Sequence, residues 1–196
     1  MIKLGLTGPT GAGKSTVAAL LAAKGIPLVD ADAVARTVTE KGSPVLASLA
    51  ATFGDSILRD DGSLDRKALA ALAFSSKENT AKLNAVTHPA ILARIRKALA
   101  QTKGKAVILD APLLFETGLQ SLCDYTAAIV ADESVRLLRI TARDGISEKE
   151  ARKRMAAQPD TAFYAARADI LLYNNGTETP ATLAERLLEQ IGRWCE

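Results

Sequence analysis

Between an apolar run, Ile2 to Leu6, and a helical pattern that starts at Ser15 stand the residues Gly8-Pro9-Thr10-Gly11-Ala12-Gly13-Lys14-Ser15. They fill every fixed position of the Gly-x-x-x-x-Gly-Lys-Ser/Thr pattern, in the strand, loop, helix order that a phosphate-binding loop requires. The run Ile2 to Leu6 has the length of a buried strand, and Val17, Leu20 and Leu21 share a helix face that Gly25 ends. Small residues let successive backbone N–H groups curl around a polyphosphate at the positive end of a helix. Gly11, Ala12, Gly13, Lys14, Ser15 and Thr16 are therefore the expected nucleotide contacts, with Lys14 on the β- and γ-phosphates and the Ser15 hydroxyl on Mg²⁺. The bland alternative is a glycine-rich turn with a solvated lysine, and a background glycine usage of about 7% makes this spacing rare by chance.

The rest of the chain supplies a matching frame. Apolar runs at Ile26–Val29, Ala106–Leu109, Ala127–Ala131 and Ile170–Tyr173 add four strands, alternating with helical segments. That alternation predicts an α/β fold: a five-stranded parallel sheet with helices on both faces and its ligand at the carboxyl ends of the strands. Between Asp32 and Gly104 the alternation stops, and about seventy residues read as consecutive helices. Ser43-Pro44 opens one helix before Leu46, Leu49, Ala50 and Phe53, and Ser75 with Glu78 has capping-box spacing for another, which Thr87-His88-Pro89 then interrupts. Three parts are expected: a nucleotide-binding core of residues 1–32, 105–144 and 168–196, a helical substrate domain of residues 33–104, and a lid of residues 145–167.

The lid assignment rests on Gly145, a charged helix from Glu148 to Met155, and Pro159. Its competing reading is a salt-bridged surface helix with Glu148–Arg152 and Glu150–Arg154 pairs, which is the preferred reading for Lys149, Arg152 and Arg154 individually. Before it, Arg136, Arg139 and Arg143 recur at spacings of three and four and share one helix face, where anions would be welcome. The last helix opens at Thr179-Pro180 and carries Leu183, Leu187, Ile191 and Trp194 as core.

Composition narrows the partners. A hydrophobic content of 48% with 24% charged residues is ordinary for a soluble enzyme, and a formal charge of +3 suits an anionic small molecule. No stretch interleaves basic and aromatic residues as a nucleic-acid groove would. Cys123 and Cys195 stand far apart in no metal spacing, which favours reduced thiols. No run of 18 apolar residues occurs and the first strand begins almost at Met1, so the expectation is a cytoplasmic protein without membrane or nucleic-acid partners, a monomer or small homo-oligomer.

Three acids end strands. Asp110 stands where the Mg²⁺-facing acid of such proteins stands, with a helix cap as the alternative. Asp30 and Asp32 are two apart, so one can face the phosphate while the other caps the next helix. A carboxylate there can take the proton of an acceptor hydroxyl in line with the γ-phosphate, and Arg139 and Arg143 can offset the charge that develops. A GTPase switch would need Asp-x-x-Gly and a guanine-reading Asn-Lys segment, and the chain has neither. A non-catalytic ATP-binding module has little use for a helical acceptor lobe and an arginine-bearing lid.

Taken together, the phosphate loop, Val29-Asp30-Ala31-Asp32, His88-Pro89, Asp110-Ala111-Pro112-Leu113-Leu114-Phe115-Glu116 and Asn174-Asn175-Gly176 resemble the dephospho-CoA kinases nearly end to end. The resemblance implies transfer of the γ-phosphate of ATP to the ribose 3′-hydroxyl of dephospho-CoA. It implies Asp32 as general base, Lys14 and Arg143 as further catalytic groups, Arg139 and Arg143 clamping ATP, and Ser15 and Asp110 holding Mg²⁺. It further implies Asn175 and Gly176 near the adenine, through their backbone. For the acceptor it implies Asp32, His88, Leu113 and Glu116. His88 alone reads equally as a helix-breaking cap, and Glu116 either orients substrate or caps a helix. The loop departs from the family at Pro9-Thr10, where proline removes an N–H donor. The Gly-Pro-Thr opening also resembles tRNA dimethylallyltransferases, which are much longer and carry a different segment after the second strand. Another small-molecule kinase, of shikimate or gluconate type, is the runner-up, although its shorter insertion suits a small acid better than a long pantetheine arm.

Overall fold

The computed structural model describes residues 1–196. Five strands, β1 (Ile2–Thr7), β2 (Leu28–Asp30), β3 (Ala106–Asp110), β4 (Tyr125–Val130) and β5 (Ile170–Tyr173), form one sheet in the order β2-β3-β1-β4-β5. β1 lies parallel to β3 with Leu6 opposite Asp110, and parallel to β4 with Leu6 opposite Ala127. β5 extends β4 in the same direction, Ala127 facing Ile170. The central strand is the one the phosphate loop follows, so that loop emerges at the middle of the sheet's carboxyl edge.

Strand residues Leu4, Leu6, Ile108, Ala127 and Ile129 are fully buried beneath α1 (Lys14–Ala23) and α9 (Pro180–Trp194). From α9 come Leu183, Leu187 and Ile191, each burial stabilising by roughly 1.5–3 kcal/mol. Trp194 stacks on Tyr125 at 3.8 Å and 1° between planes. This stack draws β4 upstream: it begins at Tyr125 and ends at Val130, where the apolar run predicts Ala127 to Ala131. Thr126 helps, because its N–H and hydroxyl both donate to Asp169 Oδ2 at 2.7 Å.

The chain divides into two compact units, residues Met1–Val29 with Gln101–Glu196, and Asp30–Ala100. The cut falls at Asp30 rather than after Asp32 because Asp30 caps α2 (Ala31–Thr37), accepting from Ala33 N–H at 3.0 Å, and a cap belongs with its helix. Residues 145–167 count with the first unit. Their helices α7 (Glu148–Ala156) and α8 (Thr161–Ala165) follow α6 (Glu133–Asp144); Ala151 and Met155 pack on Leu137 and Ile140, and Tyr164 on Ala128 and Val130.

The second unit is helical. α3 (Pro44–Phe53) starts at the Ser43 cap and stops at Gly54, α4 (Arg66–Ala73) is capped by Asp65, and α5 runs from Lys77 to Gln101. Leu46, Leu49, Ile57, Leu64, Leu69 and Ala73 form its core, with Leu83 and Val86 against them. Two expectations fail here. The α5 cap is Ser76, whose Oγ accepts from Asn79 N–H at 3.1 Å; Ser75 instead closes the end of α4 by donating to Leu72 O at 2.7 Å. Thr87-His88-Pro89 does not break the helix either. An interior proline costs about 3 kcal/mol, but Leu83 and Val86 are packed before it and Ile95 and Leu99 are buried after it, which offsets the missing N–H.

Candidate active site

The phosphate loop is shaped from behind. A peptide's C=O and the next residue's N–H point oppositely, so whatever holds the carbonyls outward turns N–H groups inward. Arg136 Nε donates to Thr10 O at 2.9 Å, Asn174 Nδ2 donates to Ala12 O at 2.8 Å, and Arg139 Nη1 makes longer 3.4 Å contacts to Gly11 O and Ala12 O. The N–H groups of Gly11 and Gly13 are thereby aimed away from these side chains. Gly13 ends the loop in the left-handed region, φ 92°, with Asn174 Nδ2 only 2.3 Å from where a Cβ would stand. Only glycine fits there. Gly8 is equally constrained, its virtual Cβ lying 2.1 Å from Ile129 O.

Past Gly13, α1 begins with no side-chain cap and no acid in its first turn. Its first N–H groups have no helical partner, which leaves them and the positive end of the helix for an anion. They open on a cavity of about 730 Å³ lined by the loop, Lys14, Ser15, Pro112, Arg139, Arg143 and Gln158. That volume accommodates a nucleotide. Lys14 Nζ pairs with Asp110 Oδ1, both side chains nearly buried, at 10% and 14% exposure. The turn after Asp110 is set by Thr7, whose hydroxyl donates to Pro112 O at 3.1 Å. Asp110 thus serves the lysine and caps no helix, and Ser15 and Asp110 offer the oxygen donors a Mg²⁺ ion takes.

Pro9 costs the cavity less than its missing N–H suggests. Its carbonyl accepts from Ala12 N–H at 3.2 Å, and Thr10 N–H is taken by Gln158 Oε1 at 2.9 Å. The amide beside Pro9 is already used within the protein.

The three arginines of α6 separate in role. Arg136 is 6% exposed and faces the loop's back rather than an anion. Arg139 lines the cavity, with Nη2 at 3.4 Å from Asn174 Oδ1. Arg143 also lines it, but its guanidinium grips Asp144 with Nε at 2.7 Å and Nη2 at 3.0 Å, and that hydrogen-bonded carboxylate holds it above the ordinary arginine range. Arg154 joins Asp144 at 2.8 Å, so the expected Glu150–Arg154 pair gives way to a Ser147–Glu150 capping box; Glu148–Arg152 forms as expected.

Asn175 and Gly176 do not line the cavity; Asn175 Oδ1 accepts from Asp132 N–H at 2.8 Å, tying β5 to the start of α6. Leu113 and Glu116 are exposed, and the 3₁₀ turn at Leu119–Leu122 begins at Gly118 with no side-chain cap, so Glu116 is not a helix cap. In the helical unit, Asp32 stands exposed in the first turn of α2, and His88 is half-buried in the middle of α5. Sequence reasoning quoted Asn174 in the Asn174-Asn175-Gly176 segment but gave it no role, and it missed Gln158. The signal for Asn174 was a polar residue directly after a buried strand; Gln158 carried none.

A parallel sheet in this order, a loop whose N–H groups are turned inward, and a lysine–aspartate pair beneath them define a P-loop nucleotide kinase-like phosphotransferase. The family model described as CoaE: Dephospho-CoA kinase matches residues 2–179. The chain belongs to the dephospho-CoA kinase family. It is 42% identical over 195 residues to the dephospho-CoA kinase of Corynebacterium efficiens, covering 97% of this chain and 98% of that one. It is 44% identical over 192 residues to that of Anaeromyxobacter dehalogenans, covering 96% and 91%. The solved structure of TT1252 from Thermus thermophilus superposes with a TM-score of 0.84 at 35% identity, covering 98% and 96%.

Proposed function

We propose that the protein transfers the γ-phosphoryl group of ATP to the ribose 3′-hydroxyl of dephospho-CoA, giving coenzyme A and ADP. The observation that carries the nucleotide half is the set of outward-held carbonyls at Thr10, Gly11 and Ala12, which leaves a cavity floored by backbone donors and Lys14. Family membership carries the acceptor. Preorganised donors of this kind stabilise charge on a transferring phosphoryl group without reorganising at the moment of reaction.

Lys14 neutralises the β,γ end once ATP draws it from Asp110. Arg139 holds the nucleotide, and Arg143 adds charge stabilisation when it exchanges Asp144 for phosphate. Ser15 and Asp110 would hold Mg²⁺, which would supply charge neutralisation to the phosphates. Asp32 is the general base: Asp30 is occupied as the α2 cap, whereas the Asp32 carboxylate stands exposed.

The helical unit, residues 33–104 in outline, receives the acceptor. It holds a groove of about 290 Å³ with Val38, Pro44, Val45 and Ala93 offering apolar wall and Arg94 and Lys97 offering charge. That composition fits an apolar arm ending in phosphates. His88 falls two residues from Ala90 of the same groove, roughly 200° around the helix, so the histidine and the groove contact different parts of the acceptor. Leu113 and Glu116 remain available to it as exposed apolar and anionic groups, and Asn175 and Gly176 act on the adenine through the turn they form. No helix is long and apolar enough to cross a membrane; the proposed setting is the cytoplasm, with the protein a monomer or small homo-oligomer.

The test is ADP release from ATP and Mg²⁺ with dephospho-CoA, shikimate, gluconate or AMP as acceptor, with the phosphate position read by NMR. Phosphorylation at the 3′ position of dephospho-CoA is the expected result. ADP release with another acceptor alone would remove the substrate assignment. Asp32→Asn should cut turnover about a hundredfold or more while ATP affinity holds, and near-normal turnover would remove Asp32 as base.

A further inference from the structure

One residue of the phosphate loop, Thr10, is held through the peptides on both of its sides. Arg136, from α6, donates from Nε to Thr10 O at 2.9 Å, and Gln158, just beyond α7, accepts at Oε1 from Thr10 N–H at 2.9 Å. Gln158 is itself placed by the last turn of α7, its N–H bonding Met155 O at 3.1 Å. The α7 segment packs on α6 through Ala151 and Met155. A displacement of residues 145–167 therefore pulls directly on Thr10.

Arg136 has a second peculiarity. It is 6% exposed, enters none of the ion pairs of the protein, and its Nη2 is buried with no hydrogen-bond partner. Burial lowers its affinity for its proton, and only Tyr164 and Glu133 act electrostatically in the opposite direction. A buried guanidinium with one carbonyl as its partner is costly to the ligand-free fold. It also lies on the closed side of a loop that receives several negative charges on the open side. Across the interior, where charges are screened poorly, that cation favours the anion-bound state.

We infer that Arg136 and Gln158 are positioning residues for phosphoryl transfer: gripping the backbone of Thr10 on both sides, they tie the seating of the phosphate loop to the placement of residues 145–167, with the buried Arg136 charge balanced by bound polyphosphate. The inference rests on the phosphate-binding half of the proposed function and is indifferent to which alcohol is phosphorylated.

The experiment compares wild type, Arg136→Met and Gln158→Met in thermal unfolding with and without saturating inorganic pyrophosphate, followed by kcat and KM for ATP. For Arg136→Met the ligand-free midpoint stays level or rises, because removing the uncompensated buried charge offsets the donor lost to Thr10 O, while the pyrophosphate-induced rise falls by at least half. For Gln158→Met, a half-buried position, the ligand-free midpoint holds, kcat falls about tenfold and the pyrophosphate effect persists. Arg136→Lys, which keeps the charge but shortens the donor, retains the pyrophosphate effect and covers the case in which the methionine variant does not fold. A lower ligand-free midpoint with an intact pyrophosphate effect in Arg136→Met means Arg136 only packs, and turnover within twofold of wild type in Gln158→Met means the grip is idle. Either result overturns the inference. Pyrophosphate that fails to stabilise even wild type would instead remove the phosphate site itself, a separate failure.

Discussion

Behind the phosphate loop, polar side chains are buried and directed at particular carbonyls: Asn174, 2% exposed, on Ala12 O, and Arg136, through Nε, on Thr10 O. Across residues 145–167, polar groups are just as numerous but stand in water. Arg152 reaches Glu133 and Glu148, and Asp144 is shared by Arg143 and Arg154. A buried hydrogen bond that is lost leaves its partner unsatisfied, so the buried side has few alternatives. An exposed ion pair that is lost is replaced by water at little cost. The molecule places the first kind behind the phosphate loop, where phosphates need fixed donors, and the second across residues 145–167 and their junction with α6. Arg143 shows the consequence, since its bonds to Asp144 are of the type that a phosphate can displace.

Lys14→Ala tests the rigid side at its centre. It should lower turnover by more than about 10³-fold and weaken ATP binding measured by calorimetry; retention of turnover would place the charge-stabilising group elsewhere. On the exposed side, Arg143→Ala should lower kcat by roughly two to three powers of ten with the unfolding midpoint unchanged. If stability falls instead, the Asp144 pair is structural and the contrast between the two sides breaks.

Smaller effects sharpen the same contrast. Asn174→Ala leaves the buried Ala12 carbonyl with only the long 3.4 Å contact from Arg139, so denaturant unfolding should show a loss of about 1–3 kcal/mol, together with a raised KM for ATP. Tyr164, beneath β4, is pushed up to about 12, first by burial and then by the Glu116 charge, with Arg136 opposing. A phenol whose folded pKa lies above its unfolded value near 10 contributes stability in full below pH 10 and loses it as pH rises toward 12. Unfolding midpoints should therefore fall across that window, and Tyr164→Phe should flatten the fall. Arg152→Ala, at the exposed extreme, should leave the midpoint unchanged within error.

The strands and most helix starts were legible because they rest on local rules. Ile170–Tyr173 is a strand with the expected bounds, Ser43-Pro44 starts α3, and Glu133 to Asp144 is α6 as the arginine spacing indicates. Where local rules compete, reading failed: Pro89 is a helix breaker on its own but is overruled by packing on both sides, and Ser75 loses the cap to Ser76 because the preceding helix claims it. The face shared by Arg136, Arg139 and Arg143 was visible, yet periodicity cannot say which neighbour each guanidinium meets.

By itself the sequence determined the phosphate loop, its strand and helix, the acids that end the strands, and membership in a family whose chemistry needs all of them. These are matters of spacing along the chain, where backbone geometry acts over a few residues. Tertiary structure alone decided that Asn174 and Arg136, distant in sequence from Ala12 and Thr10, hold the loop's carbonyls, and that Gln158 takes the amide after Pro9. Those choices depend on which side chains the sheet and helices bring within 3 Å of one another, and hydrogen bonds made across more than a hundred residues leave no periodic trace in the chain.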